Sequence, residues 1–321
     1  MAGLYPLTFQ PRFKERVWGG RTLETLYKKA LPQDRPIGES WEISDRPGDE
    51  SVIANGPLAG WTLRTLMDAH AGDVLGGARP AAGNRFPVLC KILDARDRLS
   101  LQVHPRSADL GDPKTEMWYI AAADPGAELY VGLRRGVTRQ EFEAKVHDGR
   151  VAECFHRIAV RAGDAMFLPS GRVHAIGAGL VIFEIQQNSD TTFRVYDWDR
   201  TGLDGTPREL HVAESLASID FDDVEPARIG TESSQSGPFT IRPLVRDALF
   251  DIDLVHAGAR DILTLPPRLR VVAVVEGKLV ISGGGVAQSV EAGEFCLQPA
   301  SITDGKVAAV SQSSFLLVEP H

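Results

Sequence analysis

The chain has 321 residues, 43% hydrophobic and 24% charged, with a formal net charge of −8. That length can bury more than one core, and the composition is ordinary for a globular protein. The acidic balance argues against a general nucleic-acid binder and against a basic membrane-surface protein, though a pocket can still be locally basic. No apolar run is long enough to span a bilayer, and the first residues lack the basic stretch and apolar core of a secretory signal. Cys90, Cys154 and Cys296 are odd in number and scattered, with no CxxC pair, so they read as buried thiols. These features predict a reduced, cytoplasmic protein.

In chain order, Arg21 to Lys29 predicts a short helix with Leu23 and Leu26 on one stripe. Gly38 to Asp45 alternates as a strand does. Thr62 to Ala71 has helical spacing and a threonine able to cap it. From Phe86 onward the pattern turns to short apolar runs cut by Pro, Gly and Asp, such as Pro87 to Leu93 and Met117 to Ala122. Helical interludes are predicted at Thr138 to Asp148 and at Glu209 to Ile219. Residues 226–238 are small and polar and read as a linker or exposed boundary. Residues 239–321 are again strand-rich, with Arg270 to Ser282 predicted as a hairpin.

A weak internal repeat joins the two strand-rich regions. Val160 to Pro169 and Val290 to Pro299 keep Gly163 and Pro169, or Gly293 and Pro299, at one spacing. Short strands with Gly/Pro corners suit a jelly-roll barrel, in which a doubled sheet removes exposed edges. The expectation is a mainly β, double-barrelled chain with a few helices. Residues 1–235 form its catalytic part, with helical insertions, and residues 236–321 a metal-free part. In the second copy the position of His174 is taken by Asp304, and no Q-x-H run precedes it.

The run from Gly163 to His174 reads G-x5-P-x-G-x2-H and delivers one histidine just after a tight Pro/Gly turn. Leu99 to Pro105 supplies partners: on a strand, Gln102 and His104 point to one face. With Glu116 downstream, the candidate ligand set is Gln102, His104, Glu116 and His174. Two imidazoles with oxygen donors suit a divalent transition metal, zinc first. The other six histidines read as ordinary surface or core residues. Between Leu180 and Arg200, Glu184, Gln186 and Asn188 alternate with Phe183, Ile185 and Gln187, placing a polar row on one face of a strand. Arg194 follows as an electrostatic partner for developing negative charge or phosphate.

Together these residues resemble the type I phosphomannose isomerases, in their shorter bacterial form. The resemblance rests on Gly38-Glu-Ser-Trp-Glu-Ile-Ser-Asp45, Leu99-Ser-Leu-Gln-Val-His-Pro105, Lys114-Thr-Glu-Met-Trp-Tyr119, Gly171-Arg-Val-His-Ala-Ile-Gly177 and Glu184-Ile-Gln-Gln-Asn-Ser-Asp-Thr-Thr-Phe-Arg-Val-Tyr-Asp197, and it covers nearly all of the chain. It implies a bicupin enzyme with one zinc ion, interconverting mannose 6-phosphate and fructose 6-phosphate. By it Gln102, His104, Glu116 and His174 match the metal ligands and Arg194 the active-site arginine. Lys114 and Asp190 match positions for proton handling or sugar contacts. Longer members carry a histidine, assigned to ring opening, directly before that lysine; Pro113 stands there in this chain.

An aldose–ketose isomerase needs a base at C2. Lys114 is the leading candidate, since a cation beside it would depress its pKa. The rival is Glu184 or Asp190, with Lys114 or Arg194 on phosphate or oxyanion. Lys91 and Arg106 are further phosphate candidates. Other readings stand beside this one: an iron-dependent cupin oxygenase, a non-catalytic sugar-binding cupin, or an isomerase of another aldose, including free mannose. The expected partner is a small sugar phosphate, without nucleic acid or membrane, and the expected state a monomer or small homo-oligomer.

Overall fold

A computed structural model gives the structure of residues 3–321. It is a mainly β chain of paired sheets with a few short helices. By compactness the residues group into two units, each discontinuous in sequence. One gathers the segment ending at Arg12 with Trp41–Cys90 and Gly230–His321; the other gathers Phe13–Ser40 with Lys91–Ile229.

In the first sheet pair, a six-stranded sheet runs in the order Ala165–Leu168, Glu116–Ala123, Leu180–Gln187, Val88–Ala95, Arg12–Gly20 and Ile37–Ile43. A five-stranded sheet runs Phe193–Tyr196, Leu101–Val103, His174–Ile176, Glu128–Leu133 and Phe155–Ala159. The period of two decides what fills the space between them. Trp18, Leu93, Trp118, Ile120 and Ile182 cluster with Leu129, Val131 and Ile176. Tyr130, between Leu129 and Val131, joins a different cluster on the outer face, with Leu101, Val103, Phe142 and Phe155. Phe142 comes from helix Arg139–His147, whose N-cap Thr138 accepts a hydrogen bond from the Glu141 amide.

The second pair is a six-stranded sheet, Ser234–Ser236, Phe239–Arg246, Phe250–Ala257, Ser313–Pro320, Arg270–Glu276 and Phe295–Gln298, and a four-stranded sheet, Ile262–Thr264, Lys306–Ala309, Lys278–Gly283 and Val286–Glu291. Val272, Val274, Cys296 and Phe315 pack with Leu279, Ile281, Val290 and Val307. The internal repeat has a structural counterpart. Gly163 N–H donates to Ile120 O at 2.9 Å and Gly293 N–H to Val274 O at 2.8 Å. Both glycines have positive φ, +88° and +83°.

Arg270 to Ser282 is not a hairpin. Its halves, Arg270–Glu276 and Lys278–Gly283, lie in different sheets, and the chain changes sheet at Gly277, φ +83°. Both halves are apolar, so their pattern carries no information about which sheet each joins. The true hairpin follows: Gly283 opposes Val286 across Gly284 and Gly285, whose φ values of +56° and +78° suit a two-residue primed turn. The predicted linker also contains structure, since Ser234–Ser236 pairs with Phe239–Arg246. The four predicted helices form, trimmed or extended at their ends: Thr22–Tyr27, Leu63–Leu75, Arg139–His147 and Val212–Ser218. The three cysteines are buried and unbridged, and burial pushes their thiols up.

Candidate metal and active site

Every predicted site residue falls in the unit of Phe13–Ser40 and Lys91–Ile229. Gln102 lies on strand Leu101–Val103, with His104 one residue beyond it; Glu116 opens Glu116–Ala123 and His174 opens His174–Ile176. The register brings them together. Gln102 opposes His174 on one side and Arg194 on the other. Directly opposed residues share a face, so Arg194, Gln102 and His174 form one rung. In the facing sheet Glu116 opposes Leu168 and Gln186, and Trp118 opposes Glu184.

The Pro/Gly turn does what its spacing predicts. Gly171, at φ +92°, donates its amide to His104 O at 3.1 Å, and a Cβ there would sit 2.5 Å from Arg106 Cγ. Arg172 fixes the same turn through a two-bond contact with Asp223 and a bond to Phe167 O at 2.7 Å. His174 therefore enters the barrel from a pinned corner.

His104, Glu116 and His174 are buried, and their ligand atoms lie within 4.8 Å of one another. His104 Nδ1–H donates to Thr191 O at 2.8 Å, and His174 Nδ1–H to Arg172 O at 2.9 Å. Both Nε2 lone pairs are thereby turned to the centre, as a metal ligand requires. The Gln102 amide lies 3.2 Å from His174 Nε2, and half a turn of that amide exchanges its N for its O. Among the described residues Glu116 Oε2 has no hydrogen-bond partner, while Lys114 Nζ makes an ion pair with Oε1 at 2.6 Å. Oriented imidazoles, a buried carboxylate with one oxygen left without a donor, and an amide form a donor set that fits a divalent cation.

Burial pushes the His174 imidazole down to about 3, with His104 adding to the shift; burial and then Lys114 lower His104 as well. Both rings are neutral in the physiological range. Burial opposes the Glu116 charge, but the Lys114 ammonium outweighs it and holds that carboxyl well below its usual range. Burial also opposes the Lys114 ammonium, yet Glu116 and Glu184 outweigh it and raise the lysine above its usual range. The protein's own charges thus favour the Lys114 ammonium and do not produce the depressed lysine that a base requires.

Glu184 is buried, accepts from Trp118 Nε1–H at 2.8 Å and pairs with Lys91 at 3.2 Å. Burial and then Glu116 raise its carboxyl above the usual range. The part played by Trp118 was not evident from its apolar neighbours. Its signal was its place two residues after Glu116, on the same face. Asp190 is exposed at the turn after Leu180–Gln187. Of the basic candidates, Arg106 is exposed, Lys91 faces Glu184 and Lys114 faces Glu116. Arg194 is half-buried; its Nη1 donates to Glu209 O at 2.6 Å, and its Nε has no hydrogen-bond partner among the described residues.

The profile of the family described as phosphomannose isomerase type I, catalytic domain, matches residues 7–125. Mannose-6-phosphate isomerase ManA of Bacillus subtilis (strain 168) is 34% identical over 315 residues, 96% of this chain and 97% of the relative. The chain belongs to the type I phosphomannose isomerase family. The crystal structure of mannose 6-phosphate isomerase from Bacillus subtilis superposes with a TM-score of 0.89 at 30% identity, covering 98% of this chain and 100% of that one. A mutant of phosphomannose isomerase from Salmonella typhimurium has the same fold, with a TM-score of 0.76 at 19% identity, covering 98% and 99% of the two chains. One of the two sheet pairs carries the His/Glu cluster. Asp304, at the His174 position of the repeat, instead caps a turn by accepting from Gly284 N–H at 2.9 Å. No helix among the described residues is long and apolar enough to cross a membrane.

Proposed function

We propose that the chain interconverts mannose 6-phosphate and fructose 6-phosphate through a cis-enediol, with one zinc ion held by Gln102, His104, Glu116 and His174. The observation that carries this reading is the pair of buried histidines whose Nδ1 protons are committed to backbone carbonyls beside a buried carboxylate whose Oε2 has no hydrogen-bond partner among the described residues. Bound there, the cation supplies Lewis-acid polarisation of the O1/O2 edge of the open-chain sugar. Lys114 Nζ, 2.6 Å from Glu116 Oε1, would move the proton from C2 to C1 on one face in its amine form, which a neighbouring cation would favour. Glu184 is the second group suited to hold that proton, because its buried carboxyl is raised towards neutrality. Arg194 stabilises developing negative charge or phosphate, and its Nε is free to donate. Asp190 contacts the sugar from the exposed turn. Residues 1–235 are the catalytic part and residues 236–321 the metal-free part of a cytoplasmic enzyme, acting as a monomer or small homo-oligomer.

The test is a coupled assay of mannose 6-phosphate conversion on protein as purified, after chelation and after zinc return, with His174→Ala alongside. Loss on chelation, recovery with zinc and inactivity of the variant are expected. No turnover by folded, zinc-loaded protein refutes the proposal. Equal kcat/KM for free mannose would move the substrate to an unphosphorylated aldose.

A further inference from the structure

Gln186 has no role in the chemistry above, yet it is fully buried on the strand beside Glu116, directly opposite it. Its amide orientation is fixed, because Nε2 donates to two carbonyls, Gln187 O at 2.9 Å and Ser189 O at shorter range. Gln187 ends the strand Leu180–Gln187 and Ser189 lies in the tight turn that follows it. Within that turn Ser189 N–H donates to Gln187 O at 2.7 Å. Ser189 Oγ donates to Asp112 O at 2.9 Å and accepts from Thr191 N–H at 3.3 Å. Thr191 O is the acceptor of the His104 Nδ1 proton. A continuous path thus runs from the Gln186 amide through the turn to the carbonyl that sets the His104 tautomer and ring angle.

We infer that Gln186 is a positioning residue for the metal site: it clamps residues 187–191 so that Thr191 O holds His104 Nε2 towards the centre. The inference rests on the metal reading above. Outer partners of ligating histidines, when removed, typically cost about 10- to 100-fold in metal affinity. His174 provides an internal control, since its Nδ1 proton goes to Arg172 O, which the Arg172–Asp223 contact supports instead.

The test compares wild type with Gln186→Leu and, as a milder change, Ser189→Ala. Two quantities are read: the low-field Nδ1–H resonances of His104 and His174 in chelator-treated protein, assigned with His104→Ala and His174→Ala, and zinc affinity by competition with a chromophoric chelator. In Gln186→Leu the His104 resonance is expected to broaden or vanish while that of His174 persists, and zinc affinity to fall about 10- to 100-fold. Ser189→Ala moves the same resonance with a smaller affinity loss, and it carries the test if Gln186→Leu does not fold. An unchanged His104 resonance and unchanged affinity in a folded variant overturn the inference. If wild type binds no zinc, the metal reading fails, while the His104 resonance still decides whether Gln186 holds the turn.

Discussion

Replacing Glu116 by Gln removes the charge facing Lys114 while keeping the shape. The pair is 2.6 Å apart with side chains only 6% and 1% exposed, so solvent screening gives little relief. At an effective dielectric of about 20 the gross attraction is roughly 6 kcal/mol. The loss cannot reach that value, because a stranded lysine can shed its proton. From a reference pKa of about 10.4, neutralising it at pH 7 costs about 4.6 kcal/mol. Glu184 and Glu39 still favour the ammonium, and breaking a buried pair typically costs about 3–5 kcal/mol. The metal-free variant is therefore expected to be about 3–4.6 kcal/mol less stable at pH 7.

The pH dependence follows from the same linkage. In the native protein Lys114 is raised, so its contribution is complete below the unfolded value of about 10.4 and is lost as pH rises through the folded value. In Glu116→Gln the lysine is lowered instead, and stability rises with pH up to about 10.4. The gap between the two proteins should shrink by up to about 1.4 kcal/mol per pH unit. Urea unfolding of chelated protein, followed by near-ultraviolet circular dichroism from pH 7 to 10, measures the gap. Hydrogen exchange of the Glu116–Ala123 amides at pH 7 assigns the transition to the unit holding the pair. A gap below about 1 kcal/mol that does not vary with pH would refute this reasoning.

Acid should weaken the metal-free protein through its histidines. Their lowered folded values mean that the unfolded chain takes up protons first, so stability is lost as pH falls from about 6.5 towards the folded values, near 3 for His174. His174→Gln should show a shallower acid limb in thermal melts, and an identical limb would contradict the assignment. Trp118→Phe removes the donor to Glu184 and should cost about 1.5–3 kcal/mol in urea unfolding; a neutral substitution would mean that the bond does not form in solution. Arg194→Lys should lower kcat/KM for mannose 6-phosphate roughly 100-fold with little change in melting temperature, and full activity would remove Arg194 from the site. Gly277→Ala forces a Cβ to 2.4 Å from Gln312 O at φ +83° and should cost more than about 1 kcal/mol, while zinc affinity stays unchanged. An affinity change there would show that the corner influences the metal site.

Much of the molecule was legible because its signals are local. Thr62 and Thr138 mark helix starts by their own side-chain chemistry, and each accepts a hydrogen bond from the amide three residues on. Gly163 and Gly293 mark the same corner twice because positive φ favours glycine. Gln102, His104 and His174 could be nominated as ligand candidates from strand period and turn spacing, whereas Glu116 needed the family resemblance as well. What needed the tertiary structure depends on partners distant in sequence. Sheet membership of Arg270 to Ser282 is one case, since two apolar runs look alike whichever sheet receives them. The charge state of Lys114 is another: it is set by carboxylates that share its burial, and a sequence lists charges without their separations. The orientation of His104 is decided by a carbonyl 87 residues away. Backbone carbonyls belong to every residue alike, so residue identity determined which side chains could ligate, and only folding determined which carbonyl would aim them.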